Sequence, residues 1–233
     1  MSSKSATQGV LHLLRTDLIT GHLTPGDQVV QETLADRYGV SRVPLREALR
    51  LLESEGVVTH EPHRGYFVTQ LSTNDLDEVY RLRDILEAEA ITAAVSHLST
   101  SHIDEIASLM ASAAEAADRG DIAALTEANR SFHFAIFEAS AMPRLVRLLR
   151  QLWDATDLYR SLYFAQHSNR VRVGDEHEHI LAGLRHRDAH AVIAMHTQHR
   201  ENSASTVSAL LNEQSVGEVR GEIRVRNLPR AGG

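Results

Sequence analysis

The chain has 233 residues, 42% of them apolar, no cysteine and a formal charge of −7, enough for one large or two ordinary domains and without any disulfide framework. The acidic balance excludes coating of nucleic acid through bulk charge, so any DNA binding must come from a local basic patch. No apolar run is long enough to cross a bilayer and the opening MSSKSATQG lacks the apolar core of a secretory signal, so a cytoplasmic, membrane-free protein is expected.

In chain order, Val10–Thr20 carries Val10, Leu11, Leu14, Leu18 and Ile19 at helical spacing, and Gly21 and Pro25-Gly26 end that pattern. Asp27–Val30 reads as a short extended link. Leu34–Glu55 then reads as a short helix, a tight turn and a longer helix. Gly39 suits the left-handed turn residue. Ser41 is placed to cap the second helix with its hydroxyl, and Pro44 falls in its first turn, where proline costs little. Leu45, Leu49 and Leu52 form an apolar stripe, while Arg42, Arg46 and Arg50 recur every four residues on another face. A helix that packs on its own domain and also enters a DNA groove needs both stripes; a solvated helix with Arg–Glu pairs is the plainer alternative. Val57–Thr59 and Tyr66–Val68 read as strands around a Pro62–Gly65 turn. Arg64 at its tip is a candidate for a phosphate or minor-groove contact. Residues 1–72 hold seven Lys/Arg and eight Asp/Glu, a net of −1. Nonspecific affinity should therefore be modest, and specificity should rest on a few arginines.

Leu71–Asn74 is the expected linker, with Thr73 or Asn74 capping the next helix. Everything beyond reads helical. Asp75–His97 has Leu76, Val79, Leu82, Ile85, Leu86, Ala90 and Ile91 on its expected inner face. Ser101–Arg119 and Asp121–Ser140 follow, and Pro143 opens a helix with Leu145, Leu148, Leu149, Leu152, Trp153 and Leu158. Asn169–Gly174 reads as a loop before two last helices, Asp175–Arg187 and Asp188–Leu211. Charge alternation, glycines and a proline mark 216–233 as a flexible tail.

Fourteen histidines are the compositional oddity, six of them between His177 and His199. Asn129 and His133 share a helix face with Phe132 and Ile136 nearby. His177 lies with Ile180, Leu181 and Leu184, and His199 with Val192 and Met195. Three inward histidines on three helices, with the Asn129 amide oxygen, have the composition of a divalent-metal site. Neutral imidazoles suit zinc, nickel and related ions. Three separate buried histidines bonded to backbone or water is the competing reading, and His196 competes with His199 for the inward position. A metal with open positions can take a small organic acid's carboxylate. Arg83 is either the clamp on that acid or the partner of Glu87 in an exposed pair.

The stretch Leu34-Ala35, Gly39-Val40-Ser41-Arg42-Val43-Pro44-Leu45-Arg46-Glu47-Ala48-Leu49, Gly56 and Arg64-Gly65 resembles the winged helix of GntR-family bacterial transcription regulators. Gly21–Gly26 fits the same family, and the helical remainder is similar to the FadR-type (FCD) effector domain. The resemblance implies a mainly α protein. Residues 1–72 would be a winged helix-turn-helix with a small β-hairpin, and 73–215 an all-α ligand-binding and dimerisation bundle. It implies operator contacts from Arg42 and Arg46, supported by Ser41, Pro44, Arg50 and the wing at Arg64-Gly65. A homodimer would read a palindrome, with a repressor the expected kind of regulator. It also implies metal ligands at Asn129, His133, His177 and His199, with zinc the expected ion and nickel or manganese alternatives. Asparagine in place of the family's usual aspartate lowers the expected affinity. Glu32 stands where some relatives carry a DNA-touching arginine. A metal sensor with the ion as signal is the runner-up function. A metal-dependent hydrolase is the more distant one, because His177-Glu178-His179 lacks the HExxH spacing.

Overall fold

Helical spacing of Val10, Leu11, Leu14 and Leu18 produces α1 (Ser3–Ile19) and buries all four side chains. The computed structural model describes residues 3–219. α2 (Gln31–Tyr38) stops at Gly39, whose φ of 64° is the left-handed conformation that the turn requires. α3 (Arg42–Ser54) buries Leu45, Ala48, Leu49 and Leu52 against α1 and the sheet. Each such leucine contributes about 2 kcal/mol. Ser41 occupies the N-cap position in extended backbone, but its hydroxyl makes no capping bond, contrary to expectation.

The wing is larger than the expected hairpin. The extended link forms β1 (Gln28–Val29), which pairs antiparallel with β3 (Gly65–Val68); β3 also pairs with β2 (Val58–Glu61), giving the order β1-β3-β2. Val29, Val58, Tyr66 and Val68 all join the head's core, so apolar burial holds the third strand in place.

Ser72, not Thr73 or Asn74, caps α4 (Thr73–His97). Its hydroxyl accepts from Asp75 N–H at 3.1 Å and its own N–H donates to the Asp75 carboxylate at 3.0 Å. Leu71 N–H donates to the Tyr159 hydroxyl at 2.8 Å, tying the linker to the bundle. α5 (Thr100–Arg119), α6 (Ile122–Glu138), α7 (Pro143–Ala165), α8 (His167–Arg185) and α9 (Ala189–Val219) complete the described chain.

Three expectations fail here. The proposed 169–174 loop is helix: Asn169 donates to the Tyr163 carbonyl at 2.9 Å and Arg170 to that of Phe164 at 2.8 Å. Side chains that look like loop signals instead satisfy the open carbonyls at the end of α7. Leu82 and Ile85 are 41% and 59% exposed, because polar residues take the inner positions of α4. The final helix runs to Val219, four residues into the expected tail, whose remainder lies outside the described residues.

The bundle's interior is layered. One apolar cluster gathers Ile91, Phe132, Phe137, Trp153, Ile180 and Val192. A second gathers Leu76, Leu125, Tyr159, Tyr163, Val173 and Val207. Along α4, α6, α7, α8 and α9, buried polar residues stand where the two clusters meet: Arg83 and Glu87, Asn129 and His133, Thr156 and Arg160, His177, and His196, His199 and Arg200. Close approach of α8 and α9 depends on Gly183, where an added Cβ would stand 2.8 Å from Val192 Cγ2.

Candidate nucleic-acid interface and metal centre

On the head, Arg42, Arg46 and Arg50 project from the solvent face of α3, opposite its leucines. Arg42 pairs with Glu32 of α2, and Arg50 with Glu47 at 3.1 Å. Arg46 forms no ion pair among the described residues. Glu32, noted only as a missing arginine, therefore neutralises part of the row. Arg64 pairs with Glu61 and stacks over Phe67 with its guanidinium carbon 4.8 Å from the ring centre. Gly65, with φ of 93°, closes the wing turn. Pro44 sits half-buried in the first turn of α3 and Ser41 is exposed beside it. These pairs are exposed, so each is worth little and exchanges readily for phosphate or base contacts.

In the bundle the expected ligands converge. His133 on α6, His177 on α8 and His199 on α9 each offer a nitrogen within 4.8 Å of the other two. The Nε2 atoms of all three are buried without a hydrogen-bond partner. Both side-chain polar atoms of Asn129, one turn before His133, are likewise buried and unpartnered. Buried polar atoms left unsatisfied are costly, and a cluster of them aimed together fits a ligand. Burial, reinforced by the neighbouring histidines and Arg160, holds His133 and His177 well below the usual imidazole range. Both are therefore neutral and carry a lone pair, as a metal ligand must. His199 Nδ1 donates to Glu176 at 2.6 Å, and Glu176 is held by Asn202 at 2.6 Å. That fixes the tautomer that leaves His199 Nε2 open. A recess of about 70 Å³ between α5 and α8, bordered by Gly174, reaches His177. The larger surface cleft, around Met142 and Arg147, has none of the histidines in its wall.

Arg83 is not in an exposed pair. It is 2% exposed and donates to Glu87 at 2.9 Å. Glu87 also accepts from Trp153 Nε1 at 2.8 Å and Arg200 Nη1 at 2.7 Å. Burial opposes ionisation of Glu87, but Arg83, His196 and Arg200 outweigh it and hold its carboxyl well below the usual range. The guanidinium carbons of Arg83 and Arg160 lie 4.3 and 4.0 Å from the Trp153 ring centre. Arg160 has a buried Nη2 without a partner, and burial with Arg83 nearby lowers its pKa. Glu87, Arg160 and Arg200 were not expected in the site. Only Glu87, four residues after Arg83, carried a sequence signal.

An exposed arginine row on a winged helix-turn-helix, joined to a helical bundle with a buried polar layer, defines the class of two-domain DNA-binding regulators. The description "Bacterial regulatory proteins, gntR family" matches residues 6–68, and "FCD domain" matches residues 78–202. The HTH-type transcriptional regulator McbR of Escherichia coli (strain K12) is 33% identical over 153 residues, 66% of this chain and 69% of that protein. The Nta operon transcriptional regulator of Aminobacter aminovorans is 29% identical over 185 residues, 77% of this chain and 85% of that one. The solved structure of E. coli McbR/YncC superposes with a TM-score of 0.76 at 27% identity, covering 92% of this chain and 100% of that chain. A GntR regulator from Rhodococcus sp. RHA1 shares the fold, with a TM-score of 0.73 at 23% identity over 87% of this chain and 97% of that one. The chain belongs to the GntR family of bacterial transcriptional regulators and carries an FCD domain. The relatives named here are transcriptional regulators. No described helix is long and apolar enough to cross a membrane.

Proposed function

We propose that this regulator binds a palindromic operator as a cytoplasmic homodimer, and that a small organic acid bound at a divalent metal in the FCD domain sets its operator affinity. Arg42, Arg46 and Arg50, with Ser41, Pro44 and the wing at Arg64-Gly65, contact DNA. His133, His177 and His199 hold the ion, with Asn129 as a neutral fourth donor. Zinc is the expected ion, with nickel or manganese as alternatives. A bound divalent ion supplies a Lewis-acidic position for a carboxylate oxygen. The observation that carries the reading is the convergence of three buried imidazoles whose Nε2 atoms have no partner.

An anionic effector is supported by charge. The donor set contains no carboxylate; Arg83 and Arg200 meet on the fully buried Glu87, Arg200 also reaches Asp84, and Arg160 meets Asp157 at 3.4 Å through Nε alone. A second carboxylate oxygen of the effector is best met by Arg160, whose Nη2 is unpaired, with Arg83 beside it across Trp153. Leu82 and Ile85, side by side and exposed on α4, supply apolar surface for the dimer. The effector must bind one arrangement of the heads better than the other, and that difference limits the switch.

The test is fluorescence anisotropy of fragments from the gene's own upstream region, with the full chain, with and without zinc, and across mono-, di- and tricarboxylic acids. A shift of operator affinity of roughly 5–150-fold with one acid, only in the presence of metal, is the expected result. Absence of binding to every fragment contradicts the regulator reading, and an affinity that follows metal but ignores acids makes the ion itself the signal.

A further inference from the structure

We infer that His196 is a positioning residue, not a ligand: it joins Glu87 to His133 and so turns the His133 Nε2 lone pair toward the metal position. This rests on the metal reading above. His133 Nδ1 lies 2.8 Å from His196 Nε2. His196 Nδ1 lies 3.2 Å from Glu87 Oε2, off strict hydrogen-bond alignment but within ion-pair reach. Glu87 is immobilised on all sides by Arg83, Trp153 and Arg200. Both imidazoles of the relay are fully buried, so water offers no competing partner.

The proton order follows from Glu87. A carboxylate facing His196 Nδ1 favours the tautomer with hydrogen on Nδ1; the opposite tautomer would set a lone pair against an anion. His196 Nε2 is then an acceptor and takes the His133 Nδ1 proton in a hydrogen bond. His133 is left with an unprotonated Nε2, the buried ring nitrogen that has no other partner. His199 reaches the same state through direct contact with Glu176 at 2.6 Å. Two of the three donors are thus fixed by carboxylates, one directly and one through an intervening imidazole. Partners behind metal-bound histidines commonly govern affinity in this way. His196 is thereby assigned a role distinct from that of His199, three residues further along the same helix.

The experiment titrates zinc into the metal-free full chain against a chromophoric chelator, for the wild type, His196→Leu, His196→Gln and His133→Ala. His196→Leu is expected to weaken zinc roughly 10–100-fold. His196→Gln should recover part of that loss, because its amide can accept from His133 and donate to Glu87. The cobalt(II) absorption spectrum should keep the wild-type band pattern in His196→Leu and change in His133→Ala. Zinc binding by His196→Leu within about twofold of wild type overturns the inference, as does a cobalt spectrum altered like that of His133→Ala. Wild-type chain that binds no metal overturns the metal reading itself and is recognised before any variant is made. Long-range ¹⁵N NMR of the metal-free wild type gives a check independent of variant folding. Protons on Nδ1 of both His133 and His196 support the relay, and a proton on His133 Nε2 contradicts it.

Discussion

The head and the bundle use arginine in opposite ways. On the head, Arg42, Arg50 and Arg64 pair with Glu32, Glu47 and Glu61 across solvent. In the bundle, Arg83 and Arg200 close on Glu87 with all three side chains sealed from water. Water screens the first set, so those pairs are weak and exchangeable, which suits a surface that must trade partners with DNA. The second set has no solvent to fall back on, so every partner is structurally required. Charge-pair count alone therefore says little; burial decides which pairs serve exchange and which hold geometry.

The comparison is broken most forcefully at Glu87. Glu87→Ala leaves Arg83 buried without an acid and Arg200 with Asp84 alone, and should cost about 3–5 kcal/mol of stability in urea unfolding. Glu47→Ala should cost less than about 1 kcal/mol in the same assay. Equal losses would show that burial does not separate the two sets.

Next in size is Asp154 of α7. It contacts Arg130 at 2.7 Å, yet burial, with Asp157 and Glu55 nearby, outweighs that arginine and pushes its carboxyl from the ordinary 3.8 to about 6. Arg130 itself is raised by Asp157 and Asp154 despite its burial. A raised folded-state pKa contributes stability that is fully present below about pH 4 and lost as pH rises through about 6. The change is on the order of 3 kcal/mol. Thermal unfolding from pH 4 to 8 should show this component in the wild type and lose it in Asp154→Asn.

On the surface, Arg46→Ala should weaken operator binding by about 1–3 kcal/mol in anisotropy titrations while leaving the thermal midpoint unchanged. The smallest effect is expected at Glu32. Glu32→Gln frees Arg42 and should tighten operator binding a few-fold at low salt, an advantage that shrinks as salt rises. Weaker binding by that variant would mean that Glu32 contacts DNA instead of restraining Arg42.

The sequence made the head far more legible than the bundle's interior. Gly39, Pro44 and the Leu45–Leu49–Leu52 stripe are local signals, each tied to a backbone requirement or to one helix face, and the structure places them as expected. Asn129, His133, His177 and His199 are also all buried, as their apolar neighbours suggest. Polar groups serving as core were the harder part. Arg83 and Glu87 displaced Leu82 and Ile85 from the inside of α4 because the layer between the two apolar clusters is polar. Hydrophobic periodicity carries no sign of that inversion. Asn169 and Arg170 misled in the same way, since their role is to satisfy carbonyls of the preceding helix. Arg200 is fixed by tertiary contacts and had no pattern of its own.

The central claim is that imidazoles from three helices hold one divalent ion inside the bundle. Equilibrium dialysis of the metal-free full chain against zinc tests it most directly, with His133→Ala/His199→Ala alongside. The wild type should retain about one zinc per chain and the double variant none at the same free-metal concentration. Equal zinc retention by the two proteins, or none by the wild type, would contradict it.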